Sequence, residues 1–173
     1  TETGLYTVTY FADMTEDDGN LSNNYYSYSV DVSDSIYARD NGASYGIIGI
    51  GTGEPGYLAN RFTILNPIQL SSVSVFLGNT TGDISNNPFE VEVFVVNTGV
   101  ATSIVTASGT VSSSAYQWHT VDLSPYPTLI PGEYLVALKE TSYEQEVGLN
   151  EAVFTPNKNY DTSTSQPWSK TES

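Results

Sequence analysis

"PFEVEVFVVN", residues 88–97, decides how this chain folds. Side chains alternate between the two faces of an extended strand. Phe89, Val91, Val93 and Val95 therefore share one face, and Glu90, Glu92 and Phe94 share the other. The same period of two spreads outward in both directions. In "QLSSVSVFLG" (69–78), Val73, Val75 and Leu77 oppose Ser72, Ser74 and Phe76. In "GLYTVTYFA" (4–12), Leu5, Thr7, Thr9 and Phe11 oppose Tyr6, Val8 and Tyr10. "NRFTI", "TSIVTASGTV", "WHTVDL", "GEYLVALKET" and "EVGLNEAVF" continue the pattern. Clusters such as "DDGN", "GTGEPG", "GNTTGDISNNP" and "SPYPTLIPG" punctuate these runs as turns. The nearest approach to a helix, "SYEQEVGLNEAV" (142–153), is broken by Gly148. About eight to ten strands in one chain of this length predict a single all-β domain over residues 1–173, an antiparallel β-sandwich of jelly-roll type. The Ser/Thr-rich run at 103–113 suits an edge strand. Residues 155–173 read as a frayed tail or a last strand anchored by Tyr160 and Trp168.

The charge balance narrows the functional classes. Five Lys and Arg against 20 Asp and Glu give a formal net charge of −15. Nucleic acid and anionic membrane surfaces are unfavourable partners for such a chain, whereas divalent cations are favoured. No apolar run approaches the ~20 residues of a membrane helix. With no cysteine there is no disulfide framework, thiolate metal site or Cys nucleophile. Charged residues make up only 14% of the chain, so Ser, Thr, Asn and the 13 Tyr must finish the surface. That mix suits an extracellular or bacterial cell-surface β-protein. The opening "TETGLY" has neither a basic nor an apolar leader segment, so we expect a secretion signal to be absent or removed and the chain to be a mature fragment or excised domain.

Four motifs carry a family resemblance. They are L-x-x-V-x-V-F-L at 70–77, P-F-x-V-x-V-F at 88–94, W-x-x-V-D-L at 118–123 and G-E-Y-L-V-A-L at 132–138. Across residues 60–140 the chain resembles the jelly-roll β-sandwich domains of large secreted and surface proteins of Gram-negative bacteria. Those domains stand beside peptidase, adhesin or C-terminal sorting modules. The resemblance implies an accessory module in a secreted setting. It implies no catalytic residue, because the matching positions read as strand cores.

The densest group of chemistry-bearing residues is "DMTEDDGN" (13–20), which offers Asp13, Glu16, Asp17, Asp18 and Asn20. A hard cation such as calcium takes six to eight oxygens, and a flexible loop supplies them from side chains and carbonyls together. The EF-hand pattern fails, since placing its glycine on Gly19 puts Met14 and Tyr25 at ligand positions. The competing reading is a turn that uses Asp-Gly because glycine tolerates positive φ. Asp31, Asp34 and Asp40 form a second acidic group that folding back would bring to the same end.

Glu90 and Glu92 lie two apart on one strand face, a spacing that does not forbid a glycan-hydrolysing acidic pair. The run lacks the third carboxylate of the known strand motif, and a solvent-facing acidic strip is the simpler reading. His119 is the only histidine, has no nucleophile elbow, and reads as a strand-surface residue with Trp118 pointing the opposite way. One histidine without cysteine also disfavours zinc. "GIIGIGTGEPG" lacks the helix that a nucleotide loop requires.

Tyrosine supplies the other signal. "NNYYSYSV" carries Tyr25, Tyr26 and Tyr28, and Trp168 follows near the end. Exposed aromatic faces stack sugar rings while nearby amides and carboxylates hold the hydroxyls. We therefore expect a non-catalytic binding or accessory module for a glycan or a neighbouring protein domain, with a structural calcium ion as a candidate cofactor. A glycan hydrolase and a ligand-free spacer are the alternatives.

Overall fold

In the computed structural model, residues 2–13, 18–33, 35–40, 46–49, 55–80, 82–140, 145–149, 159–163 and 169–170 are described. They form two compact units, Thr1–Ala38 and Arg39–Ser173.

The first unit is an antiparallel pair, β1 (Gly4–Phe11) and β2 (Tyr25–Val32), in register from Gly4↔Val32 to Phe11↔Tyr25. The alternating sequence makes this pair two-faced. Tyr6, Val8 and Tyr10 face the same way as their partners Val30, Tyr28 and Tyr26. On the opposite face, Thr9 and Ser27 share a hydrogen bond of 2.7 Å. A short 3-10 turn, Leu21–Asn23, lies in the connection, and Asn20 caps it by accepting from the Ser22 backbone N–H.

The second unit contains β3 (Gly46–Ile48), β4 (Gly56–Ile64), β5 (Ile68–Gln69), β6 (Ser72–Gly78), β7 (Pro88–Asn97), β8 (Val100–Thr110), β9 (Gln117–Asp122), β10 (Thr128–Leu129), β11 (Gly132–Glu140), β12 (Glu146–Leu149), β13 (Asn159–Ser163) and β14 (Ser169–Lys170). A six-stranded sheet runs β14-β13-β4-β11-β7-β8 and a four-stranded sheet β3-β12-β6-β9, with β10 and β5 as a separate pair. Every described pairing is antiparallel. The fold is therefore all-β and sandwich-like, as the alternation required. The strand count among the described residues exceeds the eight to ten expected, because short strands such as β5, β10 and β14 carry no periodic signal of their own.

The core lies where the two sheets meet. Phe89, Val91 and Val93 of β7 and Leu138 of β11 pack with Val73 and Leu77 of β6 and Val121 of β9. Each is the inward member of an alternating run, and burying such a side chain contributes roughly 1.5–3 kcal/mol. A second, smaller cluster on the outer face of the six-stranded sheet joins Ala59, Phe94, Leu135 and Ala137. β8 ends that sheet, in the place its polar composition suggested. The tight turn joining β7 to β8 has positive φ at both central residues, Thr98 and Gly99, which matches the twist of the flanking strands. No helix among the described residues is long and apolar enough to cross a membrane.

Candidate functional site

Register places an aromatic line across the outer face of the four-stranded sheet. Phe76 lies opposite Trp118, with Val75 opposite His119. Because Leu77, Val73, Val121 and His119 point into the core, Phe76 and Trp118 point away from it. Trp118 is 46% exposed. Phe76 meets its ring edge-on at a centroid distance of 5.4 Å and stacks on Tyr116 at 6.1 Å. Tyr116 lies over Gly78, where a Cβ would stand 2.8 Å from the tyrosine Cγ. Only glycine at 78 lets the ring lie against the strand.

The line ends in a carboxylate. Tyr116 donates its phenol proton to Glu146 Oε2, the same oxygen that accepts from the Thr80 backbone N–H at 3.1 Å and hydroxyl at 3.3 Å. Burial, then the bond to Glu146, drives the Tyr116 pKa well up, so the phenol remains a donor. The loop leading into Tyr116 lines an open cleft of ≈490 Å³ with Gly82, Asp83 and Ser85. Asp83 accepts from Ser114 Oγ at 2.6 Å and from the Ser85 N–H at 2.9 Å. Those bonds hold its pKa at about 2. On the far side, Ser74 and Thr120 hydroxyls meet at 2.8 Å. A flat indole beside fixed hydroxyls and carboxylates can stack a pyranose and bind its hydroxyl groups.

The tyrosines singled out from the sequence lie in the first unit and divide between its faces. Tyr26 and Tyr28 share a face with Tyr10, and the Tyr10–Tyr28 ring centroids are 6.0 Å apart at 22°. Hydrogen bonding with Tyr10 raises the Tyr28 pKa. Tyr25 turns the other way and packs on Phe11 at 4.8 Å. Trp168 lies outside the described residues.

In the acidic loop, Glu16 and Asp17 likewise lie outside the described residues. Asp18 Oδ1 accepts from the Asn20 N–H at 2.9 Å, and Asn20 Oδ1 accepts from the Ser22 hydroxyl at 2.6 Å. Asp13 is exposed. The described oxygens of Asp18 and Asn20 thus serve the turn itself, and among the described residues no three His, Cys, Asp or Glu gather into a metal-binding group. Asp34, of the second acidic group, lies outside the described residues.

Two expectations need correction. His119 is not a surface residue: it is 6% exposed, sits edge-to-face with Phe89 at 5.7 Å, and its Nε2 has no hydrogen-bond partner. The inward phase of β9 is set by Val121, so the histidine two residues earlier goes inside and the larger Trp118 is left outside. Nor is the Glu90–Glu92 strip wholly solvent-facing. Glu92 is 9% exposed and accepts from the Tyr57 hydroxyl at 2.9 Å, while Glu90 takes the Lys139 ammonium at 2.6 Å. Both carboxylates of the suggested hydrolytic pair are already engaged by neighbours.

Tyr116, Phe76 and Glu146 were missed because they are distant in sequence and meet only through the pairing of β6 with β9 and β12. Reading His119 as a surface residue placed Trp118 on the wrong face as well; the inward series Val121, Leu123 is the signal that gives its outward phase. No protein-family model, curated protein or solved structure matches the chain.

Proposed function

We propose that the protein is a non-catalytic, carbohydrate-binding accessory module of an extracellular or cell-surface protein. The observation that carries this reading is the exposed Trp118 ring, which Phe76 meets edge-on while Phe76 in turn stacks on Tyr116. A sugar ring stacks on the indole beside the Thr120 hydroxyl, and further units of a bound glycan follow the aromatic line toward Glu146 and the cleft beside Asp83. Among the described residues, Arg39, Arg61 and Lys139 make their contacts elsewhere, so neutral glycans are favoured over uronic or sulfated ones. The engagement of Glu90 and Glu92 by their neighbours favours binding over hydrolysis. Calorimetric titration with a panel of soluble neutral oligosaccharides tests the reading. The expected result is binding with loss of about 2 kcal/mol, roughly 30-fold, in Trp118→Ala. Equal binding by that variant, or no binding to any neutral glycan, overturns it.

A further inference from the structure

We propose that the aromatic face of the β1–β2 pair is a docking surface for a lysine- or arginine-rich segment of a partner protein. This goes beyond the glycan reading and uses a different surface. Tyr6, Val8, Tyr10, Tyr26, Tyr28 and Val30 share the face, and Tyr10 and Tyr26 are 57% and 59% exposed. A two-stranded sheet is marginal in water and cannot bury one of its faces against itself, so a segment laid on this face would stabilise it.

Charge selects the occupant. Residues 1–38 contain seven carboxylates and no lysine, arginine or histidine. A second copy would bring the same sign of charge to the contact, as would an anionic partner. A neutral apolar segment would bury the rings but leave the charge unanswered. A basic segment answers both: its aliphatic stems lie along Val8 and Val30, and its cationic heads sit over the tyrosine rings. The carboxylates of Asp13 and Asp18, at the turn end of the pair, lie within the same field. This molecule already uses cations over rings. The Arg39 guanidinium stands 5.0 Å from the Phe62 centroid and the Lys139 ammonium 6.0 Å from that of Tyr57. Both basic groups are engaged in the second unit, Arg39 with the Arg61 carbonyl and Lys139 with Glu90. Within its two-stranded sheet each strand also has one edge that is not paired with the other, which offers main-chain hydrogen bonds to an extended segment.

The test uses the intact chain and a synthetic 12-residue peptide of alternating lysine and valine, with a glutamate–valine peptide as control. Calorimetry is expected to show binding of the basic peptide alone, weakening about tenfold from low to physiological salt. Tyr10→Ser/Tyr28→Ser, which leaves the charge unchanged, is expected to lose binding about tenfold or more. Tyr10→Phe/Tyr28→Phe keeps the rings and is expected to bind like the parent, which separates loss of the face from loss of folding. Trp118→Ala is expected to leave peptide binding intact while weakening glycan binding roughly 30-fold, so the two readings fail separately. The proposal is overturned by no binding of the basic peptide, equal binding of the acidic peptide, full binding by the serine variant, lost binding in the phenylalanine variant, or neutral-pH self-association or glycan binding that the serine variant abolishes.

Discussion

His119 is the residue whose burial has the clearest consequence in solution. Burial lowers its pKa, because the interior disfavours the imidazolium. Above the unfolded value of about 6.5 both states are neutral and the residue adds no pH dependence. Below it the unfolded chain takes the proton first, so stability falls by at most about 1.4 kcal/mol per pH unit until the folded value is reached. Urea unfolding between pH 8 and 5 should show this component in the parent and not in His119→Leu, which also removes an unpartnered buried nitrogen. Two backbone positions make equally local predictions. Thr98 has φ of 50°, in the left-handed region that disfavours a β-branched residue. Thr98→Asn is expected to raise stability by roughly 0.5–1 kcal/mol in the same assay. At Gly109 a Cβ would stand 2.4 Å from the Phe89 ring and 2.8 Å from Val121. Gly109→Ala should therefore cost about 1–3 kcal/mol through overpacking.

Among the strands, β7 and β9 mark how far sequence carried the fold and where it stopped. The inward phase of β7 was legible because Phe89, Val91 and Val93 alternate without a break, and all three are buried. Its outer phase departs from that reading: Glu90 and Glu92 look like a wetted strip, yet Lys139 and Tyr57 from neighbouring strands engage them. Tyr57 on β4 is 35 residues away from Glu92 and becomes its partner only through β11, which lies between β4 and β7. Burial and then the bond to Glu92 raise the Tyr57 pKa. Tyr57→Phe should cost about 1–3 kcal/mol by leaving a buried carboxylate oxygen without its donor. If Tyr57→Phe/Glu92→Leu recovers part of that loss, the pair is confirmed as a unit; independent costs would refute it. The tyrosine-rich β2 escaped notice as a strand because its repeated Tyr and Ser suggested a platform before they suggested a ladder. Gly78 on β6 links strand geometry to binding. Gly78→Ala should displace Tyr116 and weaken glycan affinity along with stability, whereas a change in stability alone would detach that ring from the site.

For the whole molecule, the decisive fact is that both hydrophobic clusters of the described residues belong to Arg39–Ser173. A 39–173 fragment should retain a cooperative unfolding transition, while a 1–38 peptide alone should show only marginal β-structure by circular dichroism. A large drop in the fragment's midpoint would mean that the strand pair supports the sandwich. Sequence could not divide the chain in this way, since strand periodicity runs through both parts and no linker composition separates them. The bare tyrosine face of β1 and β2 has one more consequence, and it concerns colloidal behaviour. At neutral pH the formal charge of −15 keeps copies apart. Acidification into the carboxylate range, about pH 4, removes that repulsion and leaves the rings uncovered. Light scattering should then record reversible clustering that Tyr10→Ser/Tyr28→Ser suppresses, making this strand pair an adhesive restrained by ionised carboxylates.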